Sequence, residues 1–212
     1  PSAPSLLLSD LELTRLYLLD NNQDPEFKVA VSEEALANFY RYVFIMPTLA
    51  RFGLDIHERV EKVVSLTADD LNQLMADLIS EVYGSEVELS ERNRERIGST
   101  WAQFHTHLYS NFYVFQYATG IAGANHLAEK VAAGDAGAVR NYLAFPMSGG
   151  SRYPFAGAKT AGADLASLER VTPVVEALAG LVAPLGDVDA SEPVSPHSHQ
   201  WLELRRLRVT DL

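Results

Sequence analysis

The residues best suited to chemistry lie in one aromatic run, from His107 to Gly120, with the sequence His-Leu-Tyr-Ser-Asn-Phe-Tyr-Val-Phe-Gln-Tyr-Ala-Thr-Gly. Tyr113 and Tyr117 are four residues apart, so on a helix both hydroxyls project from one face. His107 would lie about 100° around an ideal helix from that pair, so convergence requires it at a helix end or a bend. An imidazole and two phenols are hydrogen-bond donors that could together stabilise an oxyanion.

The alternative is that these side chains belong to the core. Tyrosine and histidine often pack inside proteins with their polar tips hydrogen-bonded. Spacing alone does not separate this interpretation from the chemical one, so both stay open at this point.

Motifs for metal or nucleophilic catalysis are absent from the sequence. There is no His-Glu-x-x-His, the helical motif that aims two imidazoles at one zinc ion, and no Gly-x-Ser-x-Gly, P-loop or Gly-x-Gly-x-x-Gly. The segment Gly149-Gly150-Ser151 is typical of a loop. Two His-x-His pairs have a spacing that suits a strand rather than one helix face, and we predict no metal site from them: His105 with His107, and His197 with His199.

The surroundings of the aromatic run are free of charge. From Ile97 to Ala128 there is no Asp, Glu, Lys or Arg, yet these 32 residues hold seven of the twenty aromatic residues and three of the six histidines. Polar residues interrupt the stretch too often for a membrane span. We therefore predict a buried polar-aromatic helix.

The rest of the sequence predicts further helices and no strand, which gives an all-α fold. Residues 1–185 read as one helical region and residues 186–212 as a tail or docked extension. The first predicted helix begins at Ser5 or Ser9 and ends near Asn21. Four further helices are predicted to begin at Ser32, to begin or kink at Pro47, to begin at Thr67 and end at Gly84, and to begin at Ser90. Of the last two predicted helices, one runs from Val139 to Phe145 and the other includes Leu165, Pro173, Val174, Leu178 and Leu181.

Composition limits the partners. The 212 residues carry a formal net charge of −11, which repels nucleic acid and anionic membranes, so we expect neither as a partner. The chain has no cysteine, which excludes disulfides and thiolate sites and fits a reducing compartment. No signal peptide is visible, because Asp10 and Glu12 follow Leu6-Leu7-Leu8 too closely, and we expect a cytoplasmic protein.

Several segments together resemble oligoendopeptidase F, of the thimet-oligopeptidase-like zinc metallopeptidases. Beside the run from His107 to Gly120, the resemblance rests on six further segments, one of them the Gly134-Asp135 turn, and covers roughly residues 10–185. The sequence departs from the family pattern at Phe115, often a tyrosine, and at Gly53, often an acidic residue. The matching segments are Phe52-Gly-Leu-Asp-Ile-His-Glu58, Leu66-Thr-Ala-Asp-Asp-Leu71 with Tyr83-Gly84, Ala138-Val-Arg-Asn-Tyr-Leu143, and Gly149-Gly-Ser-Arg-Tyr-Pro154.

The resemblance implies the helical C-terminal portion of a zincin-like oligopeptidase catalytic domain that cleaves short peptides. His107, Tyr113 and Tyr117 match the family's His/Tyr motif, which implies catalytic roles in binding the substrate carbonyl and stabilising the oxyanion. Further substrate-binding residues are expected at Tyr109, Gly149, Gly150 and Tyr153.

The zinc ligands of that family lie upstream of the matched region, so we expect zinc in the full-length enzyme and none on this chain alone. The chain starts at Pro1 rather than Met, which fits a fragment whose partner is the N-terminal part of the same domain. On this view the chain alone is inactive. The alternative is a non-catalytic helical binding or scaffold protein derived from the peptidase fold, in which a face left uncovered would favour self-association.

Overall fold

The computed structural model describes residues 3–149, 151, 153–163 and 171–182. Within these ranges the chain is helical and contains no strand, which confirms the all-α prediction. The predicted tail over 186–212 lies outside the described residues, together with Gly150 and Leu165. The α-helices are α1 (Ala3–Asn21), α2 (Pro25–Phe39), α3 (Met46–Glu61), α4 (Ala68–Tyr83), α5 (Glu91–Gly98), α6 (Thr100–Gln103), α7 (His105–Tyr109), α8 (Phe115–Ala132), α9 (Ala136–Met147), α10 (Pro154–Thr160) and α11 (Val171–Val182).

The described residues form two compact units. The first contains residues 3–43 and 116–182, and the second contains Phe44–Phe115. In the first unit α1 packs on α2, α2 on α11, and α9 on α10. Its core includes a cluster around the aromatic rings of α9, made of Leu127, Tyr142, Phe145, Ala161 and Ala163.

Helix α2 starts earlier than its sequence predicts. The Asp24 carboxylate accepts a hydrogen bond from the Glu26 N–H at 3.1 Å, and Pro25 occupies the first turn, where its missing N–H costs nothing. Ser32, which we expected to cap a helix, is buried in the middle of α2 instead. The predicted start at Ser32 is therefore wrong, because Asp24 and Pro25 already supply a cap and a first residue.

A π-helical segment, Tyr40–Ile45, joins α2 to α3. Helix α3 then begins at Met46 with Pro47 in its first turn, which confirms the predicted start. The wider turn of a π-helix is rare and occurs frequently at functional sites.

Helix α4 lies at the centre of the second unit, where it packs on α3, α5 and α6. Thr67 and Asp70 form the capping box that the sequence predicts, and Gly84 ends the helix at φ +64°. Phe52 of α3 and Met75 of α4 are fully buried. Ser90 caps α5 as predicted, by accepting from the Asn93 N–H. Within the described residues no helix is both long and apolar enough to cross a membrane.

The uncharged stretch from Ile97 to Ala128 is not one helix. It contains the end of α5, the short helices α6 and α7, a turn, and most of α8. Several of its aromatic side chains are exposed, and Tyr109 is 92% accessible. The predicted single buried helix is therefore wrong.

Of the last three helices, the sequence predicts parts of α9 and α11 but not α10. Helix α9 is longer than predicted, because Asp135 caps it four residues before Val139. The sequence did not predict α10, since Tyr153-Pro154 was not recognised as a helix start. Helix α11 contains the predicted Val174, Leu178 and Leu181, with Pro173 in its first turn.

Candidate functional site

The second unit brings His107 and Tyr113 together. His107 lies on α7, and its ring centroid is 6.5 Å from that of Tyr113, with the planes tilted by 40°. The Phe104 ring packs against the same imidazole in a T-shaped arrangement, with 5.7 Å between the ring centroids. Both His107 and Tyr113 are half-buried. Two potential donors thus lie side by side within reach of solvent.

Tyr113 belongs to a turn rather than to a helix. Its N–H donates to the Ser110 carbonyl at 3.1 Å, and α8 begins only at Phe115. The i,i+4 helical relationship that the sequence predicts for Tyr113 and Tyr117 therefore does not hold. The bend that His107 would need to approach a tyrosine is present instead, as the break between α7 and α8.

Tyr117 lies on α8 in the first unit and stacks on another tyrosine. Its ring is 5.5 Å from that of Tyr42, and the two planes are within 5° of parallel. Tyr42 belongs to the π-helical segment Tyr40–Ile45. The sequence carries no signal for this pairing, because Tyr42 lies outside the apolar pattern of the predicted helix.

His57 is a second neighbour that the sequence did not assign to the site. Its ring lies 4.9 Å from the ring of Phe112, the residue before Tyr113. Its Nδ1–H donates to the carbonyl oxygen of Gly53, one turn earlier on α3, at 2.6 Å. The sequence offers no signal for this position, because its neighbours are an aromatic ring 55 residues away and a backbone carbonyl.

The predicted substrate-binding residues are surface residues where the structure describes them. Tyr109 ends α7 and Tyr153 precedes α10, and both side chains are almost fully exposed. Gly149 follows α9 with φ +52°, and nothing would contact a Cβ there.

Metal-binding groups do not converge in the part of the chain that the structure describes. No three His, Asp or Glu side chains there are placed to hold one metal ion. These residues therefore do not fit a zinc ion by themselves.

Comparison with known proteins identifies relatives for most of the chain. The profile of Peptidase family M3 matches residues 2–174. The chain is 36% identical over 157 residues to the chromosomal oligoendopeptidase F of Lactococcus lactis subsp. cremoris, a match that covers 74% of this chain and 25% of the relative. It is 31% identical to oligopeptidase PepF of Bacillus subtilis, covering 73% of this chain and 22% of PepF.

Solved structures give the same result. The crystal structure of oligoendopeptidase-F from Enterococcus faecium aligns with a TM-score of 0.72 and 32% identity, covering 82% of this chain and 32% of that one. A putative peptidase from Chlamydophila abortus aligns with a TM-score of 0.65 and 29% identity, covering 79% of this chain and 28% of that one.

The chain spans about a quarter of the length of the curated relatives it matches. The resemblance to oligoendopeptidase F is confirmed by the profile, by the identities and by the aligned structures. This chain belongs to Peptidase family M3.

Proposed function

We propose that this chain is the C-terminal part of the catalytic domain of an oligoendopeptidase F-like metallopeptidase that hydrolyses short peptides. In this proposal His107, Tyr113 and Tyr117, called here the proposed wall, are the residues assigned to binding the substrate carbonyl. The observation that carries it is the contact between His107 and Tyr113, at 6.5 Å between ring centroids, inside a segment that matches the family.

The proposed chemistry is hydrogen-bond donation to a developing negative charge. When a peptide carbonyl is attacked, its oxygen gains negative charge, and donors already aimed at that oxygen lower the barrier. The imidazole of His107 and the phenol of Tyr113 have the required protons, and both lie partly open to solvent. The exposed ring of Tyr109 then offers an apolar contact to the rest of the peptide.

The metal requires residues outside this chain. A metallopeptidase family implies an ion, and neither the sequence motif nor a cluster of ligands among the described residues provides for one. We therefore expect the zinc ligands in the remaining three quarters of the catalytic protein. The contribution of the present chain is to orient the peptide and to supply donors.

Two measurements test this division of roles. The purified 212-residue chain is expected to bind less than one equivalent of zinc and to leave a fluorogenic peptide intact. A longer polypeptide that also carries the upstream part of the domain is expected to bind zinc and to cleave the peptide. Stoichiometric zinc and cleavage by the 212-residue chain alone would contradict the proposal.

The role of Tyr113 is testable in the longer polypeptide. Tyr113→Phe keeps the ring and removes the donor, so kcat is expected to fall by about 100-fold to 1,000-fold, as for loss of one oxyanion donor. Tyr17→Phe is the matched control, because Tyr17 is an exposed tyrosine outside the proposed wall. An unchanged kcat for Tyr113→Phe, with zinc still bound, would refute the role of this phenol.

The second candidate function is a binding or scaffold protein without catalysis. It is favoured by the exposed apolar side chains at the end of α3, where Val60 and Val63 are 60% and 92% accessible. Such side chains favour association when they are contiguous. Light scattering of the 212-residue chain distinguishes the cases, because a monomer at high concentration contradicts a self-associating scaffold.

A further inference from the structure

The turn that carries Tyr113 has an unusual residue at its third position. Tyr113 N–H donates to the Ser110 carbonyl, and Phe112, at the third position of this four-residue turn, has φ +56°. Turns with positive φ at that position normally place glycine or asparagine there. A bulky side chain in this conformation is strained. A contact made by the Phe112 ring would offset this strain.

That contact is with His57. The two rings lie 4.9 Å apart between centroids, tilted by 44°. His57 is itself held in place, because its Nδ1–H donates to the Gly53 carbonyl at 2.6 Å. Because a carbonyl only accepts, this bond fixes the proton on Nδ1 and the orientation of the imidazole plane.

A second contact on the same face of α3 aligns the neighbouring helix. A Cβ placed on Gly53 would lie 3.8 Å from Leu108 Cδ2, so Leu108 covers this glycine. Gly53 and His57 are one turn apart on α3, and their partners Leu108 and Phe112 are also four residues apart. This face of α3 thus contacts both α7, which carries His107, and the turn, which carries Tyr113.

We propose that His57 is a positioning residue, which holds Phe112 in the left-handed conformation and so places Tyr113 beside His107. The value of this placement for peptide hydrolysis rests on the proposed function, whereas the placement itself does not. His57 acts on the donor pair only through Phe112.

The test measures the His107–Tyr113 contact in the 212-residue chain by the nuclear Overhauser effect between the two rings. His57→Ala and Phe112→Ala are each expected to abolish that effect while circular dichroism shows the chain still folded, because both remove the ring contact and leave a positive φ disfavoured. Phe112→Gly adopts a positive φ without a ring partner, so it is expected to retain the effect, and its unfolding midpoint is expected to stay level or rise. His57→Phe restores an aromatic partner for Phe112 and is expected to retain the effect.

The matched control is Phe115→Leu, which changes another half-exposed phenylalanine of the same segment and is expected to keep the His107–Tyr113 effect. Survival of the effect in both His57→Ala and Phe112→Ala overturns the proposal. If His57→Ala does not fold, Phe112→Ala decides alone. Loss of the effect here, together with an unchanged kcat for Tyr113→Phe in the longer polypeptide, would support the positioning role and refute the role proposed for the Tyr113 phenol.

Discussion

Two glycines of the second unit are predicted to respond to alanine with opposite signs. Gly98 ends α5, and a Cβ there would lie 2.6 Å from the backbone oxygen of Asn72 and 3.2 Å from its carbonyl carbon. These are backbone atoms of α4, so they cannot rotate away as a side chain could. Gly53 lies inside α3. The nearest heavy atom to a Cβ added there would be Leu108 Cδ2, at 3.8 Å, which is an ordinary van der Waals distance.

The expected magnitudes follow from these distances. Overpacking that forces a backbone shift costs about 1–3 kcal/mol, so Gly98→Ala should lower the free energy of unfolding by about that amount. The gain in helix propensity is small at the last residue of a helix and does not compensate. At Gly53 no such clash exists, and Gly53→Ala in the helix interior should raise the free energy of unfolding by about 0.5–1 kcal/mol.

The assay is urea unfolding followed by the fluorescence of Trp101, in a Trp201→Phe background that leaves Trp101 as the single tryptophan. Trp101 reports on the region directly, because its Nε1–H donates to the Asn72 side-chain oxygen at 2.9 Å. Gly53→Ala serves as the internal control for glycine replacement as such. The reasoning is refuted if Gly98→Ala equals the parent in stability or if Gly53→Ala is the less stable of the two variants.

The remaining predictions concern the capping box of α4. Thr67→Ala removes the oxygen that accepts from the Asp70 N–H at 3.2 Å, and it should lower the free energy of unfolding by about 1 kcal/mol in the same urea assay, with Ser65→Ala unchanged. The Thr67 hydroxyl, and then its backbone N–H, donate to the Asp70 carboxylate and hold the pKa of that carboxyl below its ordinary value. The unfolded chain therefore binds this proton more readily than the folded chain does. The stabilisation from the ionised Asp70 carboxylate is complete above the ordinary aspartate pKa, about 3.9, and is lost as pH falls through the lower pKa of the folded chain. Asp70→Asn should flatten the fall of stability in that acidic range, and an identical pH dependence in the two proteins would contradict this assignment.

Local signals made much of the fold predictable from the sequence. Thr67 and Ser90 cap helices as predicted, and Pro47 lies in a first turn, because each acts through atoms within a few residues. The error in the predicted start of α2 also has a local cause. Asp24-Pro25 is compatible with a turn and with an N-cap followed by a first helical residue, and the sequence pattern does not separate the two.

The candidate site was less predictable, because tertiary contacts shape it. Residue type singles out His107 and Tyr113, yet the helix expected to present them is broken at a turn. The break involves a phenylalanine with positive φ, for which turn statistics give no warning, and its ring partner is 55 positions away at His57. Such a contact is invisible to any rule based on spacing along the chain.

Lack of charge in the stretch from Ile97 to Ala128 was first interpreted as a sign of burial, and the exposure of Tyr109 and Phe112 changes what that composition implies. A surface that combines aromatic rings with uncharged donors and has no Asp, Glu, Lys or Arg is poorly matched to an ionic ligand, because nothing there neutralises a charge. A peptide backbone is neutral and presents carbonyl acceptors between apolar side chains. The same composition that argued for a core therefore favours the peptide contact that the proposed function requires.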